Sequence, residues 1–283
     1  MKSSSRRSFL TTWVAASASA LHARTLKTIG VQLYTVRSIL PQKPLETLQA
    51  IEKIGYREVE ATADGLDKIW PALKQTSLKA VSLHMNTALF TREQEKLPAA
   101  LEDAKERGFQ FVVCPYIAPQ DRGGVDMMRD LGEKLTKAGE MSRKAGLQLC
   151  YHNHAFEFKP EGSGILLDTM MQAADPKLVG LELDVMWATV AGVDPVSILK
   201  KYGSRVMLVH LKDVAPGVEK RYNENIPRTA FKEVGNGVVD FPAVLRAAAD
   251  AGVKHYFVEQ DQTPGDPIDS LRQSFEHLSK LNY

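Results

Sequence analysis

Cysteine is nearly missing: Cys114 and Cys150 are the only two in 283 residues. A lone pair inside two strand-like runs makes no disulfide framework, so buried free thiols are expected. Long apolar runs are also missing, apart from a modest one near the N-terminus, and nothing else is long enough to span a bilayer. There is no Gly-rich phosphate loop of the dinucleotide-binding kind after the first strand-like run, which argues against an open nucleotide-binding sheet. No Pro/Gly/Ser-rich linker divides the chain after its N-terminal segment. A large charge excess is absent too, since 36 Lys and Arg face 34 Asp and Glu. That balance is poor for a protein that holds nucleic acid on a basic face.

The N-terminus stands apart from the rest. Ser5-Arg6-Arg7-Ser8-Phe9-Leu10 has the form of a twin-arginine signal, followed by a short apolar stretch and the small-residue cleavage candidate Ala18-Ser19-Ala20. Residues 1–23 are therefore expected to be a removable export signal, giving a periplasmic or otherwise exported protein with no membrane segment after cleavage. Removing them takes away Lys2, Arg6 and Arg7 and no acid, so the formal charge of +2 falls by 3 to −1. Twin-arginine export carries proteins already folded, often around a cofactor, in keeping with a metal loaded before export.

From residue 28 the chain alternates between short strand-like runs and amphipathic helical stretches. Apolar runs at 28–34, 56–61, 79–85, 109–115, 147–152, 179–187, 206–211 and 255–260 are each followed by a helical pattern, several of them closed by Gly55, Gly108 or Gly146. Eight strand-then-helix units in about 256 residues predict an α/β fold, a single (β/α)8 barrel over residues 24–283. Asp194 is placed to cap the helix that starts at Pro195.

A parallel barrel gathers the C-terminal ends of its strands at one mouth, so polar residues there are candidate site residues. They are Gln32 and Tyr34, Glu60, His84, Cys114 and Tyr116, then His152, His154 and Glu157, then Asp184 and Trp187, His210 and Lys212, and Glu259 and Gln260. The run Cys150-Tyr151-His152-Asn153-His154 is the densest, and strand alternation puts both imidazoles on one face. By the same alternation Asp184 and Glu182 face inward, Met207, Val209 and Leu211 face the helices, and Gln148 is expected to pair with Glu182 below the site. Asp184, His210 and Glu259 end three consecutive strands. Their mixed oxygen and imidazole character suits one divalent cation such as Mn²⁺, Co²⁺, Fe²⁺, Mg²⁺ or Zn²⁺.

Four motifs carry a family resemblance: Tyr151-His152-Asn153-His154-Ala155-Phe156-Glu157-Phe158, Leu181-Glu182-Leu183-Asp184-Val185-Met186-Trp187-Ala188, His210-Leu211-Lys212-Asp213 and Val258-Glu259-Gln260-Asp261. Together they resemble the xylose-isomerase-like barrel family of sugar (phosphate) isomerases and epimerases, over essentially the whole chain after the export segment. The resemblance implies one metal, commonly Mn²⁺, held by Glu, Asp, His and Glu from strands five to eight. Asp184, His210 and Glu259 match that set. Strand five departs from it, reading His-Asn-His where many members read Glu-Asn-His, so the fourth ligand is either His152, favoured by its inward phase, or Glu157 folded back.

The implied chemistry is removal of the proton next to a metal-polarised ketone, giving an enediolate. Isomerisation or epimerisation of a sugar or keto-sugar is the leading expectation. A lyase or hydratase acting on 3-keto-sugars or glycosides through the same intermediate is the close alternative. Glu259 is the first candidate base and Glu157 the second. Lys212 and His84 would orient or protonate substrate oxygens, Trp187 and Tyr34 would wall a sugar ring, and His154, Gln32 and Glu60 would contact substrate. Two rivals stand beside this reading. An apurinic endonuclease of the same fold needs a three-zinc cluster and a DNA-binding face that the charge does not support. A non-catalytic exported sugar-binding barrel would keep the metal without the base. The expected partner is a small sugar, with no nucleic acid, and homo-oligomerisation stays open.

Overall fold

Short β-branched and aliphatic runs such as Phe111–Cys114 and Val206–Leu211 are too short for stable helices and bury both faces, as strands of a parallel sheet do. In the computed structural model, which describes residues 24–283, eight of them close into one barrel. The strands are β1 (Gly30–Gln32), β2 (Glu58–Thr62), β3 (Lys79–His84), β4 (Phe111–Cys114), β5 (Gln148–His152), β6 (Val179–Asp184), β7 (Val206–Leu211) and β8 (His255–Val258). Neighbours pair in parallel, and β1 closes the ring against β8. The export signal expected over residues 1–23 lies outside the described residues. No described helix is long and apolar enough to cross a membrane.

Eight helices cover the barrel, one after each strand: Pro44–Ile54, Leu66–Leu73, Leu97–Glu106, Val125–Lys144, Leu166–Ala173, Pro195–Tyr202, Phe241–Ala251 and Pro267–Lys280. Aspartates start several of them. Asp194, Asp240 and Asp266 each accept a backbone N–H of the first turn, satisfying donors that have no partner within the helix. Helix Val125–Lys144 lies tight against Leu166–Ala173, because a Cβ at Gly132 would sit 2.5 Å from the Met170 carbonyl oxygen. Only glycine permits that approach.

Two hydrophobic clusters result. The larger fills the space between strands and helices, while a small one of Val81, Val113, Cys150, Leu208 and Phe257 plugs the lower barrel interior. Met207 packs on that inner plug, contrary to the outward direction expected from alternation. The reason is local: pairing of β6 with β7 jumps from Leu181↔Val206 to Glu182↔Leu208, leaving Met207 as an extra residue in a bulge. A second jump, from Val59↔Ala80 to Glu60↔Ser82, leaves Val81 unpaired in the same way and resets the phase of β3, so that His84 reaches the interior.

The mouth is roofed on one side by the long segment after β7. The segment is not structureless, since Asp213–Val214 and Phe231–Lys232 pair as a small antiparallel ribbon. Asp213 pins it by accepting the N–H groups of Val214, Gly235, Gly237 and Val239 at 2.9, 3.0, 2.8 and 3.1 Å.

Candidate active site

Register brings the site together. On β5 and β6, His152 stands opposite Glu182; on β6 and β7, Asp184 stands opposite His210; on β1 and β2, Gln32 stands opposite Glu60. Glu259 follows the end of β8, tied to β7 by its N–H donating to the Leu211 carbonyl at 3.3 Å. Polar side chains therefore stack in two layers above the apolar plug.

The upper layer holds Asp184, Glu259, Lys212 and Asp261. Asp184 Oδ1 caps the short helix Val185–Val190 by accepting the N–H groups of Met186 and Trp187 at 2.9 and 3.0 Å. Its Oδ2 is buried with no donor aimed at it, although Lys212 Nζ lies 3.1 Å away and His152 Nε2 3.8 Å away. Lys212 Nζ also lies 2.6 Å from Glu259 Oε2 and 3.2 Å from Asp261. Burial would raise the Glu259 carboxyl, but the Lys212 ammonium and His210 override it and hold it well below the usual range. Burial pushes Asp261 up to about 6 against the pull of Lys212. Asp261 belongs to the motif Val258-Glu259-Gln260-Asp261 but was given no role from sequence, though its place two residues after Glu259 was a usable signal.

The lower layer is a carboxylate–imidazole network. Glu60 Oε1 accepts from Gln32 Nε2 at 2.8 Å and meets His210 Nε2 at 2.6 Å and His84 Nε2 at 2.9 Å. Glu182 Oε2 meets His84 Nε2 at 2.8 Å and His152 Nδ1 at 3.0 Å. The expected Gln148–Glu182 pair does not form. Gln148 Nε2 instead donates to the carbonyls of Leu149 and Leu178, because the imidazoles of the next layer up are better placed for the carboxylate. Gln32 and Glu60 are fully buried beneath the floor of the mouth rather than in it, so their expected contact with substrate is corrected to a supporting position.

Above these layers opens a cavity of about 970 Å³, walled by His84, His152, His154, Trp187, Lys212 and Glu259 on the barrel side and by Tyr34, Tyr116, Arg228 and Phe231 at the rim. Its size is at the upper end of ordinary small-molecule sites. Two imidazoles on its wall differ in charge. Burial alone would lower His84, but Glu60 and Glu182 push it up to about 9, while burial and the nearby Lys212 ammonium hold His154 well below its ordinary value. His154 Nδ1 and Trp187 Nε1 are buried without partners.

Glu157 is not part of this cavity. The chain leaves β5 at His152 and turns through a tight helical turn at Phe156–Phe158, which carries the carboxylate behind the wall. There it accepts from the Tyr151 hydroxyl at 2.7 Å and the His154 N–H at 2.9 Å, and burial pushes it up to about 8. The expectation that Glu157 folds back to act as base or ligand is corrected by this placement, since both its oxygens are engaged away from Asp184 and Glu259.

A divalent cation fits the upper layer. Asp184, His210 and Glu259 present ligand atoms all within 4.8 Å of one another, His152 Nε2 faces Asp184, and Asp184 Oδ2 is a buried oxygen that lacks a donor. Buried carboxylates of this kind are held by a cation or by full hydrogen bonding.

The sequence matches the family model described as a xylose isomerase-like TIM barrel over residues 48–281. Inosose dehydratase from Bacillus cereus (strain AH820) is 32% identical over 162 residues, which cover 53% of this chain and 51% of that protein. The chain thus spans about half the length of the curated relatives it matches. Among solved structures, a sugar phosphate isomerase/epimerase from Parabacteroides distasonis superposes with a TM-score of 0.77 at 20% identity, covering 90% of this chain and 98% of that one. The IOLI protein with a bound zinc atom superposes with a TM-score of 0.66 at 16% identity, covering 88% and 95%.

Proposed function

The chain belongs to the xylose isomerase-like TIM barrel family, and on that premise we propose that it is a divalent-metal-dependent lyase that removes water or an alcohol from a cyclic polyhydroxy ketone. The observation that carries this reading is the pair of unlike imidazoles, His84 and His154, on one cavity wall beside the grouped candidate ligands Asp184, His210 and Glu259 and the neighbouring His152, whose Nε2 lies 3.8 Å from Asp184. When bound, the cation would supply Lewis-acid polarisation of a ketone oxygen. The rest falls to side chains. His154, neutral and with an unpartnered Nδ1, takes the proton from the carbon next to the ketone. His84, held charged by two carboxylates, gives a proton to the oxygen leaving the β-carbon, so the C–H and C–O bonds break, the C–H electron pair becomes a carbon–carbon double bond, and water or an alcohol departs. Two groups whose surroundings drive their protonation apart are the natural base and acid. Lys212 stays cationic among Asp184, Glu259 and Asp261 and steadies negative charge on substrate oxygens.

Elimination is favoured over epimerisation because strand five offers His152 where the two-carboxylate arrangement would need an acid. The kinship with inosose dehydratases runs the same way, an inosose being a cyclic polyhydroxy ketone. The ion is drawn from Zn²⁺, Fe²⁺, Co²⁺ and Mn²⁺, which accept mixed imidazole and carboxylate ligation. Export by the twin-arginine route is part of the same reading, resting on Arg6-Arg7.

The test is NMR in D₂O on the metal-loaded protein with inososes and 3-keto-glycosides. Appearance of an unsaturated or dehydrated product is the expected result. Deuterium entering the substrate with an isomer or epimer as product would replace elimination by isomerisation or epimerisation. No product and no exchange from any of these ketones would leave a binding protein and overturn the enzyme.

A further inference from the structure

A second cavity, of about 450 Å³, opens beside the main one, between the short helix Thr87–Thr91 and the start of helix Val125–Lys144. Met85, Asn86, Pro115 and Tyr116 line both cavities, so one ridge, built from the residues that follow β3 and β4, borders the two. Hydrogen bonds fix this ridge. The Met85 N–H donates to the Val113 carbonyl at 3.1 Å, and the Thr87 hydroxyl donates to the Tyr116 carbonyl at 2.6 Å. Of the three large hydrophobic side chains left exposed among the described residues, two, Tyr34 and Tyr116, stand on the rim of the main cavity, and Tyr116 is shared with the outer one. An aromatic ring kept in water at a cavity edge offers a ligand an apolar face and a polar tip.

The lining of the outer cavity selects its ligand. Ile117 and Leu131 are buried and give it an apolar floor, while its rim is charged in pairs. Arg92 faces Asp121 at 4.0 Å and Lys134 faces Asp130 at 2.7 Å, so neither cation is left over for a phosphate or carboxylate. An apolar floor under a polar rim without excess charge suits a neutral ring edged with hydroxyls, which is a sugar. The ridge also adjoins the chemistry. Met85 and Asn86 directly follow His84, the proton donor to the leaving oxygen in the mechanism above, and the ring of His154 lies 4.9 Å from that of Tyr116. The C–O bond that breaks therefore lies on the side of the main cavity where the outer one opens.

We propose that the outer cavity is a subsite for the departing alcohol, and that this alcohol is itself a neutral sugar ring, so that the substrate is a keto-glycoside of at least two rings. The inference rests on the elimination reading above and adds what leaves and where it is held. In the step, the electron pair of the C–H bond next to the ketone becomes a carbon–carbon double bond. The C–O pair stays with the oxygen of the second ring, which takes the proton of His84 and departs as a free hydroxyl. Contacts to a part of the substrate that does not react can be used to orient the part that does, so an occupied outer cavity raises kcat/KM.

The experiment compares a one-ring and a two-ring probe on the full-length, metal-loaded protein. Calorimetry uses methyl β-glucoside and cellobiose; kinetics uses the same two compounds oxidised to the ketone at C3, in cellobiose on the non-reducing ring, so that methanol or glucose leaves from the same carbon. The wild type should bind cellobiose tighter than methyl glucoside by about ten-fold or more, since even one methylene in a fitted pocket is worth that much. Ala118→Trp and Gln120→Trp, which fill the outer cavity from its loop side, should each lower the two-ring to one-ring ratio of kcat/KM by about the same factor. Comparing ratios between wild type and variant cancels the difference in leaving ability between methanol and glucose. Equal binding of the two sugars by the wild type, or folded variants that keep the wild-type ratio, would overturn the subsite while product from both ketones left the elimination reading standing. Tighter binding of cellobiose with no product from either ketone would overturn elimination and the departing role, and leave the outer cavity a sugar site. The calorimetry needs only the wild type, so a variant that fails to fold leaves the proposal falsifiable.

Discussion

At the scale of single residues the account turns on position 152 and position 157, two histidine-strand neighbours that face opposite sides of one wall. His152→Ala is expected to weaken divalent-cation binding by about ten-fold or more, whereas Glu157→Gln should leave it near wild type, as read by metal titration with folding checked by circular dichroism. An exchange of the two phenotypes would place the strand-five ligand at Glu157. The Glu157 carboxyl has its own signature in stability. Burial pushes it up to about 8, against an ordinary carboxylate value of about 4.3. A carboxyl raised on folding contributes stability that is complete below its unfolded value and is lost as pH rises through its folded one. Thermal stability should therefore fall between about pH 4 and 8 from this residue, and Glu157→Gln, neutral throughout, should flatten that fall. The same slope in both proteins would contradict the assignment. Glu259→Gln is expected to abolish turnover, since the residue meets His210, Lys212 and the cation position at once; a wild-type rate at saturating metal would remove it from the site.

Elements impose two further constraints. Asp184 both ends β6 and caps the helix that follows, so cap and charge can be separated. Asp184→Asn keeps an oxygen for the N–H groups of Met186 and Trp187 and should melt close to wild type while losing cation affinity. Asp184→Ala should lose both, with about 1–2 kcal/mol from the cap. Equal melting temperatures for the two variants would deny the cap its role. Asp213 holds the segment that brings Arg228 and Phe231 over the cavity. Asp213→Ala leaves four amides without their acceptor, at about 1–3 kcal/mol for each one that stays buried and unpaired. Faster hydrogen exchange over residues 231–239, with the barrel strands still protected, is the expected outcome.

For the whole molecule, the alternation of strand and helix was legible because eight apolar runs of strand length recur with helical stretches between them, and only a closed barrel uses all eight. Asp184, His210 and Glu259 were legible for the same reason: each ends a strand, where topology decides its neighbours. What alternation could not show lies where the period of two breaks. The bulges at Val81 and Met207 shift phase without any composition signal, the turn after His152 throws Glu157 outward, and the segment after β7 contributes Arg228 and Phe231 by loop geometry alone. Glu182 was placed inward by alternation and Gln32 and Glu60 were read as substrate contacts, but depth along a strand, which separates a supporting layer from the cavity floor, needs the stagger of the barrel.

The central claim is that His152, Asp184, His210 and Glu259 form one cation site. Elemental analysis of metal-loaded, dialysed protein tests it most directly, run on the wild type beside His152→Ala and Asp184→Asn. One divalent ion per chain in the wild type and a clear loss in both variants is the expected result. Wild-type protein that retains no ion, or both folded variants retaining a full one, would contradict it.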